Sequence, residues 1–143
     1  MHLKDKPLFH LAFPVDDLNN TKDFYTNILG CKIGRSSEKW IDFNFFGHQI
    51  TAHLSIKKLD NNGIKNKVDG KNVPVRHFGL VMGWKDWHQI KDKLISYKTN
   101  FLIKPYIRFK GETGEQATLF ILDPSLNAIE LKSFKNKEML FVP

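Results

Sequence analysis

The chain states one pattern twice, and a duplication fixes an architecture before any motif is read. Residues 7–30, PLFHLAFPVDDLNNTKDFYTNILG, read as a short strand with alternating apolar Phe9, Leu11, Phe13 and Val15 and a histidine on the other face. An acidic turn follows, then an amphipathic helix closed by Gly30. A later stretch, VPVRHFGLVMGWKDWHQIKDKLIS, repeats that order. Phe78, Leu80 and Met82 alternate, His77 takes the opposite face, and Trp84, Trp87, Ile90, Leu94 and Ile95 form a helical stripe. His10 and His77 hold matching places, 67 residues apart.

Between and after these starts the chain supplies three short alternating runs each time. In the first half they fall near 31–37, 39–46 and 48–56, with Gly47-His48 as the tight connection before the last. That last run is the most regular: Ile50, Ala52, Leu54 and Ile56 take one face and Gln49, Thr51, His53 and Ser55 the other, the period of a half-buried strand. Residues 57–74 are polar, carry Asn62-Gly63, Asp69-Gly70 and Pro74, and read as a connector. The second half offers strands at 101–104, 116–122 and 127–134, with a loop holding Pro105, Gly111 and Gly114 and a turn at Asp123-Pro124-Ser125. The apolar tail EMLFVP is expected to pack on something, a partner subunit included.

The expected fold is therefore α+β, a single domain over 1–143. Module one spans about 7–56, module two about 75–134, with a connector at 57–74 and a tail at 135–143. Each βαβββ module is too small to bury its own sheet, so the two are expected to close into a cupped, partly closed mixed sheet with helices outside. The chain has 143 residues, 41% of them hydrophobic, enough for a packed core. No apolar run is long enough for a signal peptide or a membrane span, and the single Cys31 excludes an intramolecular disulfide and suits a reducing cytoplasm. The net charge of +7 comes from lysines scattered among asparagines (Lys57, Lys58, Lys65, Lys67, Lys71, Lys132, Lys135, Lys137), so neither nucleic acid nor a membrane is an expected partner.

Four side chains carry the chemistry. The first and last strands of the halves offer His10, His53, His77 and Glu130, each opposite its strand's apolar residues. Small neighbours two residues away (Ala12, Gly79, Ala128) leave room for an ion or ligand. Any one histidine on a strand is more often a hydrogen-bonded structural residue, and His2, His48 and His88 are assigned that role. The four together at repeat-related positions point to a divalent metal. Two histidines and a carboxylate with open positions suit non-haem Fe(II); three histidines and a carboxylate suit Zn(II), Ni(II), Co(II) or Mn(II) equally. The glycines of FKGETGE, 109–115, lack the spacing and strand–helix context of a phosphate loop.

The opening FHLAFPVDDLNNTKDFYTNILGCKIGR, the hairpin FFGHQITAHL, the second start VRHFGLVM and the close FILDPSLNAIELKSF resemble the vicinal oxygen chelate superfamily over about 7–134. That superfamily contains glyoxalase I, bleomycin-resistance proteins, fosfomycin-resistance enzymes and extradiol dioxygenases. The subset most similar to the chain is the small single-domain proteins described as predicted extradiol-type dioxygenases. The resemblance implies paired βαβββ modules around a divalent metal. His10, His77 and Glu130 match the dioxygenase-type triad, and His53 falls where glyoxalase-type members place a fourth ligand. Gln116, Thr118 and Phe120 occupy the face on which ring-cleaving members carry a tyrosine, and no histidine stands in the 104–116 loop as an acid–base group.

Three functions follow as expectations. The first is a dioxygenase on a catechol-like small molecule, with Fe(II) preferred and Trp40, Asp42, Gln49, Tyr106 and Arg108 orienting the substrate. The second is a glyoxalase- or epimerase-like lyase or isomerase on Zn, Ni or Co, with His53 as ligand and Glu130 as the proton-transfer group. The third is a metal-free drug or metabolite binder, whose expectation of non-ligand residues at the four positions this chain does not meet. A homodimer is expected as well, since relatives pair modules across subunits.

Overall fold

The computed structural model describes residues 5–57 and 63–143; His2 and Lys58 lie outside them. The chain divides into two compact units, residues 1–59 and 60–143, each carrying one βαβββ repeat.

In the first unit, β1 (His10–Val15) leads through Asp17 into α1 (Leu18–Asp23). The Asp17 carboxylate accepts from the Asn20 amide at 2.8 Å, satisfying a backbone donor left over at the helix start. The helix continues as a π-helical turn over Phe24–Ile28 and stops at Gly30, whose φ of 78° suits a residue without Cβ. Strands β2 (Lys32–Ser36), β3 (Trp40–Phe45) and β4 (His48–Leu54) complete a sheet of order β1-β4-β3-β2, with β1 parallel to β4. The β3–β4 turn is Phe46-Gly47, one residue earlier than expected, with both φ angles positive (52° and 95°) as a two-residue hairpin requires. Tyr25 is fully buried, stacked on Phe43 at 5.0 Å and against Phe13 at 5.6 Å, so the helical segment packs on the Phe13–Phe43 face of the sheet. The expected apolar face ends sooner than the alternation suggests. Ile50 and Ala52 are buried, whereas Leu54, Ile56 and Phe9 are exposed.

In the second unit, β5 (Lys65–Val68) and β6 (Lys71–Pro74) form a hairpin inside the stretch read as a connector. Its turn is Asp69-Gly70, again with two positive φ angles, 50° and 73°. Then come β7 (Phe78–Met82), α2 (Trp84–Ser96), β8 (Phe101–Arg108), β9 (Gln116–Leu122) and β10 (Ala128–Phe134), in sheet order β7-β10-β9-β8 with β7 parallel to β10. This is the strand order of the first unit, position for position. β8 runs four residues beyond the expected 101–104 because it is an edge strand. Pro105 is tolerated there, in the Ile103–Tyr106 stretch where the register shifts. Trp87, 1% exposed, anchors α2 by donating its Nε1–H to the Leu131 carbonyl at 2.8 Å. Leu94, Leu119, Ile121, Ile129 and Leu131 are fully buried. A 3-10 turn at Lys137–Phe141 follows, and the Phe141 side chain of the tail is exposed.

The fold is thus α+β, with each four-stranded sheet covered by its helix on one face and polar on the other. Among the described residues no helix is long and apolar enough to cross a membrane.

Candidate metal centre

The second unit assembles two of the four expected ligands. His77 sits just before β7, and its Nδ1 lies 2.6 Å from the Pro74 carbonyl oxygen. A carbonyl can only accept, so Nδ1 carries a proton; Nε2 faces the Glu130 Oε2 at 3.3 Å, to which it donates when the imidazole is protonated. The other carboxylate oxygen is occupied: Thr118 Oγ1 donates to Oε1 at 2.8 Å. Lys132, two residues along β10 on the same face, brings Nζ to 3.4 Å from Oε2, and the Phe120 ring meets the His77 ring edge-on at 5.1 Å. The two side chains are 27% and 14% exposed. The hydrogen bond to Glu130 raises the His77 pKa above its ordinary value, outweighing burial. Burial pushes Glu130 up, but hydrogen bonds from His77 and Thr118 and the Lys132 charge overcome it, so its pKa is lowered.

This geometry fits a cation. A histidine pinned at Nδ1 by a backbone acceptor, with Nε2 turned toward a carboxylate oxygen, is the usual second-shell arrangement of a metal-binding imidazole. Two ligands at bonds near 2.1 Å sit about 3.0–3.4 Å apart when separated by right to tetrahedral angles, and the Nε2–Oε2 distance lies within that span. Gly79 serves a purpose other than the expected one. It pairs with Glu130 across the parallel β7–β10 ladder, and a Cβ there would sit 1.6 Å from the Glu130 carbonyl oxygen. The space it leaves is filled by the β10 backbone and is not vacant for an ion.

In the first unit His10 opens β1, opposite Gln49. Its Nδ1 is 2.9 Å from Gln49 Oε1, and Gln49 Nε2 donates to Asp42 Oδ2 at 3.2 Å. Asp42, 5% exposed, also accepts from Thr51 Oγ1 at 2.6 Å and from Arg35 Nη2 at 3.2 Å. Burial pushes the Asp42 pKa up, but those hydrogen bonds, with the Arg35 charge, bring it below the ordinary value. Register corrects one equivalence. Glu130 pairs with Gly79, two residues after His77; two residues after His10 is Ala12, which pairs with Thr51. Thr51 therefore holds the place of Glu130. His53 stands one pleat further along β4, exposed and opposite Pro14 and Trp40. Matching last strands by ligand type instead of by pairing partner hides this two-residue step.

The expected substrate residues are engaged within the fold. Trp40 lies under the Arg35 guanidinium at 5.6 Å. Asp42 and Gln49 serve the network just described. Tyr106 donates to Asp69 Oδ2 at 3.0 Å, Arg108 ion-pairs with the same carboxylate, and both latch the β5–β6 turn to β8. His48 accepts from the Phe9 amide, and His88 lies edge-on against Trp84 and Trp87, the structural roles expected of them. A polar cleft bordered by Asp17, Lys22, Ser37 and Glu38 contains none of the four ligand residues. Among the described residues no group of three or more His, Cys, Asp or Glu is gathered for a metal. Sequence reasoning missed the Pro74 carbonyl, Thr118, Lys132 and Arg35. Of these only Thr118 left a signal, as the polar member of a buried strand face.

Duplicated βαβββ modules of matching strand order, with a histidine at the first strand of each and a carboxylate on the last strand of the second, define the vicinal oxygen chelate plan. The chain belongs to the Glyoxalase/Bleomycin resistance protein/Dioxygenase superfamily, whose description matches residues 8–131. It is similar to a glyoxalase/bleomycin resistance protein/dioxygenase from Alicyclobacillus acidocaldarius, with 30% identity over 97% of this chain and 100% of that one and a TM-score of 0.79. The fosfomycin resistance protein FosX from Listeria monocytogenes shares its fold, with 18% identity over 95% and 99% of the chains and a TM-score of 0.68. So does a lactoylglutathione lyase from Agrobacterium tumefaciens, with 14% identity over 93% and 97% and a TM-score of 0.62. No curated protein matches the chain.

Proposed function

We propose that this protein is a metal-dependent extradiol-type dioxygenase acting on a catechol-like small molecule with two adjacent oxygens. The observation that carries the reading is the His77–Glu130 pair, with Nε2 and Oε2 3.3 Å apart and their other polar atoms already held by Pro74 and Thr118. With His10, the repeat-related histidine, as the further ligand this reading calls for, the set would be two histidines and one carboxylate, that of non-haem Fe(II) oxygenases, so Fe(II) is the preferred ion. Zn(II), Ni(II), Co(II) and Mn(II) accept the same donors. Such an ion, when bound, supplies a Lewis acid on which adjacent substrate oxygens chelate and lose protons.

The residues have separate tasks. His77 is fixed through Pro74, which holds the proton on Nδ1 and keeps Nε2 aimed at Glu130. Glu130 keeps Oε2 ionised, and Thr118 prevents its carboxylate from rotating away. Hydrogen bonds from His77 and Thr118, with the nearby Lys132 charge, hold this carboxylate ionised. In a homodimer with exchanged modules, a second copy of the chain would supply the first-module ligand.

The test is oxygen uptake by protein reconstituted anaerobically with Fe(II) and offered a panel of catechols. Uptake that disappears in His77→Ala supports the reading; no uptake across the panel contradicts it. A glyoxalase- or epimerase-like lyase or isomerase stands second. It is favoured by Thr118 and Phe120 on the strand face beside Glu130, which leaves that carboxylate as the proton-transfer group. In that reading His53 is the fourth ligand.

A further inference from the structure

We infer that Asp42 and Gln49 are a tautomer clamp for His10, positioning residues that act on the imidazole through one amide. This rests on the proposed role of His10 as a ligand, while the clamp itself lies wholly within the first unit. The reasoning is a count of donors and acceptors. Asp42 is an ionised carboxylate, which accepts only. Thr51 Oγ1 takes Oδ1, and Arg35 Nε and Nη2 take Oδ2 at 3.3 and 3.2 Å. The Gln49 group that meets Oδ2 at 3.2 Å must therefore be the NH2 end of the amide. With that end fixed, the Gln49 carbonyl oxygen faces His10 Nδ1 at 2.9 Å. An amide oxygen only accepts, so Nδ1 carries the proton and Nε2 is the atom with a lone pair.

The second unit reaches the same tautomer by another route, since the Pro74 carbonyl accepts from His77 Nδ1. The two repeat-related histidines are thus both set to offer Nε2. One is held by the backbone, the other by a side chain whose orientation a buried carboxylate dictates. Gln49 and Asp42, expected as substrate contacts, become orienters of a ligand. Gly34 allows this, because a Cβ at that position would stand 3.3 Å from Asp42 Cβ.

The experiment is nitrogen-15 NMR of the metal-free protein labelled at histidine, at a pH where the imidazoles are neutral, with the His10 signals assigned by their loss in His10→Gln. The wild-type protein is expected to show His10 with the proton on Nδ1. Gln49→Met, of similar size but with no oxygen to accept, is expected to shift it toward the Nε2–H form that free imidazole side chains favour in water. In Co(II) titrations Gln49→Met should bind about 10-fold more weakly or worse. A wild-type His10 mainly in the Nε2–H form, or an unchanged tautomer in Gln49→Met, overturns the clamp. Should Gln49→Met fail to fold, the wild-type spectrum decides alone. Unchanged Co(II) affinity in His10→Ala alongside the expected tautomers would remove the ligand role of His10 and leave the clamp standing.

Discussion

Replacing Gly79 with alanine tests how the His77–Glu130 pair is built. The added Cβ would sit 1.6 Å from the Glu130 carbonyl oxygen, 2.6 Å from its carbonyl carbon and 3.0 Å from its nitrogen, all backbone atoms with no side-chain freedom to yield. Reaching ordinary contact at 3.4 Å widens β7 from β10 by about 1.8 Å at this point. That opening breaks ladder hydrogen bonds around the Gly79–Glu130 pairing, each worth about 0.5–1.5 kcal/mol net. Overpacking adds about 1–3 kcal/mol, so losing two such bonds gives a total destabilisation of about 2–6 kcal/mol. The same displacement carries Oε2 away from Nε2 and should weaken divalent-ion binding at least 10-fold. Urea unfolding and calorimetric titration with Co(II) read the two effects. Gly114→Ala is the control: among the described residues nothing lies within 4 Å of its Cβ, and stability should change by no more than about 0.5 kcal/mol. Gly79→Ala with wild-type stability and wild-type ion affinity would refute the argument.

Further outcomes follow from neighbouring contacts. Thr118→Val leaves Glu130 Oε1 without its donor and should weaken ion binding about 10- to 100-fold in the same titration. Trp87→Phe removes the donor to the Leu131 carbonyl beside Glu130 and should cost about 1–3 kcal/mol in urea unfolding. His53→Ala should leave ion affinity unchanged, because His53 lies one pleat beyond the place of Glu130; a clear loss would move the account to the four-ligand, lyase or isomerase reading. Asp42 sets an acid limit. Its folded pKa is lowered, so its stabilisation is present in full above the unfolded value near 3.8 and is lost as pH falls through the folded one. The stability advantage of the wild type over Asp42→Asn should therefore shrink below about pH 4, and a gap that stays constant with pH would contradict this.

The duplication was legible because both hydrophobic periods repeat at a fixed offset, and that alone yielded the two βαβββ units and the pairing of His10 with His77. Glu130 was legible as a lone carboxylate amid apolar residues of a strand. What stayed hidden depends on partners rather than periods. The β5–β6 hairpin has polar strands with no alternation, although Asp69-Gly70 is a strong hairpin signal when read for itself. Thr51 as the counterpart of Glu130 emerges only from which residue pairs with Ala12 and which with Gly79. The Pro74 carbonyl has no side-chain signature. Asp42 and Gln49 were recognised as polar residues on the right face, but the hydrogen bonds that commit them to His10 are a matter of register between β1, β3 and β4.

The central proposal is that His77 and Glu130 hold one divalent ion. Elemental analysis of protein purified without chelator, followed by anaerobic titration with Fe(II), tests it most directly. The account predicts one equivalent bound by the wild type and little by His77→Ala or Glu130→Gln. Binding of no ion by the wild type, or undiminished binding by both variants, would contradict it.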